Sequence, residues 1–203
     1  KVNKMNRIRY NTSYRTSLKD KILDSAIALF HERGVKAVKM DDIASRLGIS
    51  KRTLYEIYSN KETLLLEGMK MYEEDIDAYM TRFVESDEHN VIETIIEFYN
   101  LQIKRSANIN PLYFEELHRY PSVLAFFEQK HKDRRLKQKL FFKRGVNEGC
   151  FRDDVDYDIF GRICDSSMEY VMRTQMYREF KLGYILHNLP LLYVRVICTE
   201  GGV

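Results

Sequence analysis

The stretch SKRTLYEIYSNK, residues 50–61, sets hydrogen-bonding and cationic side chains at fixed intervals among apolar ones. On a helical wheel Leu54, Ile57 and Tyr58 share one side, which leaves Lys51, Arg52, Tyr55 and Glu56 outward and Thr53 on the flank. Such a face suits a polyanion. Arg52 carries paired donors that match the acceptors of guanine, and Thr53 can donate, accept or touch a thymine methyl. Lys51, the Tyr55 hydroxyl and Lys61 suit phosphate oxygens, which fix register without choosing sequence. Ser50 stands where its hydroxyl can cap the helix that follows.

Those side chains need a scaffold, and the preceding residues spell one. Ser17 and Asp20 resemble a capping box, and Leu18, Ile22, Ala26, Leu29 and Phe30 recur at helical spacing until Gly34, predicting a helix over 17–33. A second, shorter pattern (Ile43, Ala44, Leu47) ends at Gly48. Only Gly48-Ile49-Ser50 separates it from the third, a spacing that predicts a helix-turn-helix. From Asn60 a long pattern runs through Leu64, Leu65, Met69, Tyr72, Ile76, Tyr79, Met80 and Phe83. Further helices are expected near 90–107, 111–119, 121–148, 156–180 and 183–199, about nine in all, so the expected fold class is all-α.

Residues 18–66 resemble the DNA-binding domain of the TetR family of bacterial transcriptional regulators. The resemblance rests on ALFHERG (28–34), DIA (42–44), GIS (48–50), TLYEIY (53–58) and KETLL (61–65), in that order. It implies a homodimer with a three-helix DNA-binding domain, a larger helical domain for dimerisation and ligand binding, and repression relieved by a small molecule. It also implies that Tyr55 and Lys61 contact the DNA backbone. Many members have a threonine just before the second helix, where this chain has Lys39-Met40; Lys39 can supply charge there but no cap. The expected DNA-binding set is Lys39, Ser50, Lys51, Arg52, Thr53, Tyr55 and Lys61. Domains are expected at 1–15 (a flexible basic arm), 16–62 (DNA binding) and 63–203 (ligand binding and dimerisation). The resemblance implies that the last two helices pair with their mates, and Leu186, Leu189, Leu192, Tyr193, Val196 and Ile197 give the final one an apolar stripe.

Charge agrees with that division. Residues 1–61 hold 14 Lys and Arg against 6 Asp and Glu, while the remainder holds 19 against 24. A basic module thus precedes an acidic one. Charge alone also fits RNA or an anionic membrane surface. The basic run from Lys130 to Lys139 reads as a solvated helix face, with an anionic ligand or DNA flank as the alternative. Phe98, Tyr99, Tyr113, Phe114, Phe126, Phe127, Met168, Tyr170 and Met172 are candidates for an effector pocket, though residues of these types at helical spacing are more often plain core.

Cys150, Cys164 and Cys198 lack a C-x-x-C pair and read as free thiols. The sequence has neither an apolar run long enough for a membrane span nor a secretory signal, so the expected compartment is the cytoplasm. No enzymatic activity, cofactor or metal is expected. Two rival readings remain. One is a di-iron-like bundle built on Glu115 with His118 and Glu128 with His131, aided by Glu93 or Glu97. The other is a non-specific nucleic-acid binder.

Overall fold

The computed structural model describes residues 17–86 and 88–199, and the expected arm 1–15 lies outside them. Among the described residues there are nine α-helices and no named strand; an isolated antiparallel bridge joins Phe151 to Cys198. The helices are α1 (Leu18–Arg33), α2 (Met40–Leu47), α3 (Lys51–Ile57), α4 (Lys61–Glu85), α5 (Val91–Ser106), α6 (Pro111–Leu117), α7 (Pro121–Asn147), α8 (Tyr157–Arg173) and α9 (Leu182–Ile197). None is long and apolar enough to cross a membrane.

Local chemistry sets most of these ends. The side chains of Ser17, Ser50, Asn60, Asn90, Asn110 and Asp156 each accept a backbone N–H from the first turn of the helix they precede. Proline opens α6 and α7, where its missing N–H loses nothing. Gly34 (φ +82°) and Gly48 (φ +65°) stop α1 and α2 in backbone conformations that a β-carbon disfavours. One end departs from expectation: the helix expected over 156–180 stops at Arg173. Gln175 turns left-handed (φ +56°), and a 3-10 turn, Met176–Arg178, follows.

Three apolar clusters hold the helices. The first joins Ile22, Ile27, Leu29 and Phe30 of α1 to Ile43, Leu54, Leu64 and Leu65, and extends to Tyr113, Leu117 and Val123 of α6 and α7. α4 crosses the expected boundary at 62/63 without a break. Gly68 lets it approach α1 closely, for a β-carbon there would lie 2.5 Å from Ile27 Cγ1. A second cluster gathers Val91, Phe142, Phe151, Ile197 and Cys198, and a third Val171, Tyr177 and Ile185. α5 packs most extensively on α9, and α1 on α4.

At the meeting of α1, α4 and α6, the His31 ring lies edge-on to Tyr113 (4.6 Å between centroids) and to Tyr72 (6.1 Å). Burial, aided by the nearby Arg105 cation, lowers its pKa from 6.5 to about 4. Between those values the unfolded chain binds a proton that the folded chain refuses, so stability rises with pH through that window and levels off above it. Chemical unfolding at pH 4.5 and 7.5 should therefore show a His31 contribution of about 2–3 kcal/mol that disappears in His31→Phe.

Candidate nucleic-acid interface

α3 is anchored from beneath and open above. Leu54 is fully buried and Tyr58 nearly so, whereas Lys51, Arg52, Tyr55 and Glu56 face solvent. The turn before it is tight: Gly48 N–H donates to the Ser45 carbonyl at 3.2 Å and Ile49 N–H to the Ala44 carbonyl at 3.1 Å. The Ser50 hydroxyl accepts Thr53 N–H at 3.0 Å and lies 2.8 Å from Thr53 Oγ1, so both side chains serve the cap in this structure.

The cations of the exposed face are held lightly. Lys51 Nζ donates to Asp41 on the first turn of α2 at 3.0 Å, which brings the starts of the two helices together. Arg52, 88% exposed along its side chain, pairs among the described residues with Glu56 one turn on, at 2.8 Å. An exposed pair of this spacing contributes little and yields readily to a stronger acceptor. The first turn of α3 holds two cations and no acid, a placement that opposes its own dipole. Stability of the helix alone does not account for it, and such a surface suits a polyanion.

Lys39 precedes α2 without capping it. The Asp42 carboxylate instead accepts Lys39 N–H at 2.8 Å, and the Lys39 side chain stays in solvent two residues from the Asp41 to Lys51 contact.

Lys61 is the position where placement and expectation differ most. Its ammonium is partly buried and donates to the carbonyls of Val35 (2.8 Å), Val38 (2.9 Å) and Lys36 (3.4 Å) in the α1–α2 turn. These bonds take all three donors. Burial pulls its pKa below the ordinary lysine range, while the Glu116 and Asp42 carboxylates oppose that shift. The sequence alone gave no sign of this role, because the carbonyls lie 23–26 residues away.

The expected pocket residues are divided among several environments. Tyr113 is buried in the first cluster, with Phe114, Phe126 and Phe127 packed against it. Met168 and Met172 pack on the third cluster, and Phe98 meets Tyr99 edge-on. Phe114 and Tyr177 connect the first and third clusters, with centroids 6.2 Å apart. Tyr170 instead lies outside, on a groove of about 740 Å³ between α8 and α9. Ile159, Ile163, Tyr184 and Leu192 line it and are all more than half exposed. For the di-iron-like reading, Glu115 is engaged by Arg178, and among the described residues no three His, Cys, Asp or Glu side chains converge on a metal position.

Residues 22–67 match the family model described as "Bacterial regulatory proteins, tetR family". Over 158 residues the chain is 27% identical to the HTH-type transcriptional repressor KstR2 of Mycobacterium tuberculosis, covering 72% of this chain and 75% of that one. It is 42% identical over 53 residues to IcaR of Staphylococcus epidermidis, a negative transcriptional regulator of a biofilm operon; the match covers 26% of this chain and 29% of IcaR. Among solved structures, a putative transcriptional regulator from Saccharomonospora viridis in complex with choline superposes with a TM-score of 0.71 at 18% identity. That match spans 90% of this chain and 98% of the other.

Replacing Lys61 by methionine keeps much of the stem but strips three carbonyls of their donor. Urea unfolding should show a loss of about 1–3 kcal/mol.

Proposed function

Because the chain belongs to the TetR family of bacterial regulatory proteins, we propose that it is a dimeric repressor that sets two α3 helices into successive major grooves of a near-palindromic operator and leaves when a small molecule binds. The observation that carries this reading is α3 itself: a cationic, solvent-facing surface on a helix locked below by Leu54. With its side chains an α-helix such as α3 is about 10–12 Å across, which fits the width of the major groove. Arg52 and Thr53 read bases at its start, once Thr53 exchanges its cap contact for DNA. Lys51, Tyr55 and Lys39 meet phosphates, and Ser50 holds the cap. Lys61 acts on DNA through the turn that it supports, and any phosphate contact it makes competes with those carbonyls.

The two-domain division at 62/63 follows this assignment, with the bacterial cytoplasm as the site of action. The second copy seats on the α8–α9 face, which presents Ile159, Ile163, Leu192 and Val196 to solvent. Apolar side chains lined up on two neighbouring helices gain most by packing against their own symmetry mates. The effector enters among the half-buried aromatic and sulfur side chains of the C-terminal helices: Phe98, Tyr99, Phe114, Phe126, Met168 and Met172. A structural relative holds choline, which illustrates a small-molecule complex on this fold.

Two substitutions separate the parts. Arg52→Ala should weaken binding to the selected operator by about 1–3 kcal/mol and relax preference at one base position in each half-site. Leu192→Arg should instead yield monomers by sedimentation and lose operator binding, with overall helix content unchanged by circular dichroism. Unchanged base preference in Arg52→Ala would contradict the reading.

A further inference from the structure

Neighbouring carboxylates of α6 serve different parts of the molecule. Glu116 Oε2 accepts the backbone N–H of Lys36 at 2.6 Å, in the same α1–α2 turn whose carbonyls hold Lys61. Asn110, which caps α6, reinforces the attachment: its N–H donates to the His31 carbonyl at 2.8 Å and its side-chain amide to the Glu32 carbonyl at 3.3 Å. Both carbonyls belong to the last turn of α1, where helical partners run out. The approach is close, for a β-carbon on Gly34 would lie 3.0 Å from Leu112 Cβ and 3.1 Å from Glu116 Oε2.

Glu115 takes another direction, since successive helical residues project about 100° apart. It accepts two parallel bonds from Arg178, at 2.8 and 2.6 Å, and its side chain is only 13% exposed. Arg178 closes the 3-10 turn between α8 and α9, and beside it Tyr177 touches Phe114. A seven-residue helix has little stability of its own, so its position is dictated by what grips it. α6 is gripped on one side by the α1–α2 turn and on another by the turn that joins α8 to α9.

We propose that Glu116 and Glu115 are positioning residues that couple the α8–α9 turn to the recognition helix. Glu116 fixes the α1–α2 turn and with it α2 and α3, while Glu115 passes to α6 any displacement of Arg178. Seating of a second copy on the α8–α9 face is then felt at α3 without any contact between the two. The inference rests on α3 being the DNA reader, as proposed above.

The test uses a duplex that the full-length wild-type protein enriches from a randomised pool, with affinity read by fluorescence anisotropy and folding by thermal melting. Glu116→Leu should weaken binding about tenfold, whereas Glu116→Gln, which keeps an acceptor for Lys36 N–H, should stay within about threefold. Glu115→Gln and Arg178→Gln should each weaken binding about three- to tenfold, and the double variant should be no worse than the weaker single. The exchange Glu115→Arg with Arg178→Glu should recover most of the loss. Melting temperatures should not track these changes. Wild-type affinity in Glu116→Leu and Glu115→Gln, additive losses at 115 and 178, or losses that follow the unfolded fraction would each overturn the coupling. A wild-type protein that enriches no duplex would overturn the reader assignment and the coupling with it.

Discussion

A lysine ammonium drawn partly out of water must be given acceptors, and a turn whose carbonyls point inward must be given donors. Lys61 and the Val35, Lys36 and Val38 carbonyls answer both needs at once. The consequence is geometric. Lys61 opens α4, the 25-residue helix that runs from the DNA-binding core into the rest of the molecule, while the turn it holds sets where α2 and α3 leave α1. Any tilt of α4 therefore pulls on the platform of α3. Glu116 approaches the same turn from α6, so α4 and α6 meet at one short piece of backbone.

Two surfaces of the molecule are left unsatisfied by its own folding, and they differ in kind. The outer face of α3 is cationic, with ion pairs that cost little to exchange. The outer face of α8 and α9 is apolar, with Ile163 and Leu192 more than half exposed. Charge at one end and hydrophobic area at the other suit a polyanion and a second copy respectively. The basic run of α7 fits neither. Lys130 pairs with Asp77, 16 residues along α4 from Lys61 and so about 24 Å from the DNA-binding end. At that distance Lys130 itself does not reach DNA bound at α3.

Local chemistry is what the sequence displays openly. The caps at Ser17, Ser50 and Asn60, the stops at Gly34 and Gly48, and the inward set around Leu54 were legible because each depends on residues within a turn or two. The end of α8 was not, because Gln175 adopts a left-handed conformation that usually announces itself with glycine. The roles of Lys61, Glu115 and Glu116 were hidden for another reason: their partners lie 23–80 residues away. The aromatic residues of α5 to α8 were ambiguous throughout. Helical spacing is the same for a side chain that fills a core and one that lines a pocket.

In the proposed complex two copies of α3 read bases in two major grooves. Methylation interference on the selected duplex tests it most directly, since a methyl group on guanine N7 blocks the edge that an arginine would grip. Interference is expected at guanines in two symmetric half-sites, with centres about one helical turn, or a multiple of it, apart. Interference spread evenly along the duplex, or confined to a single patch, would contradict it.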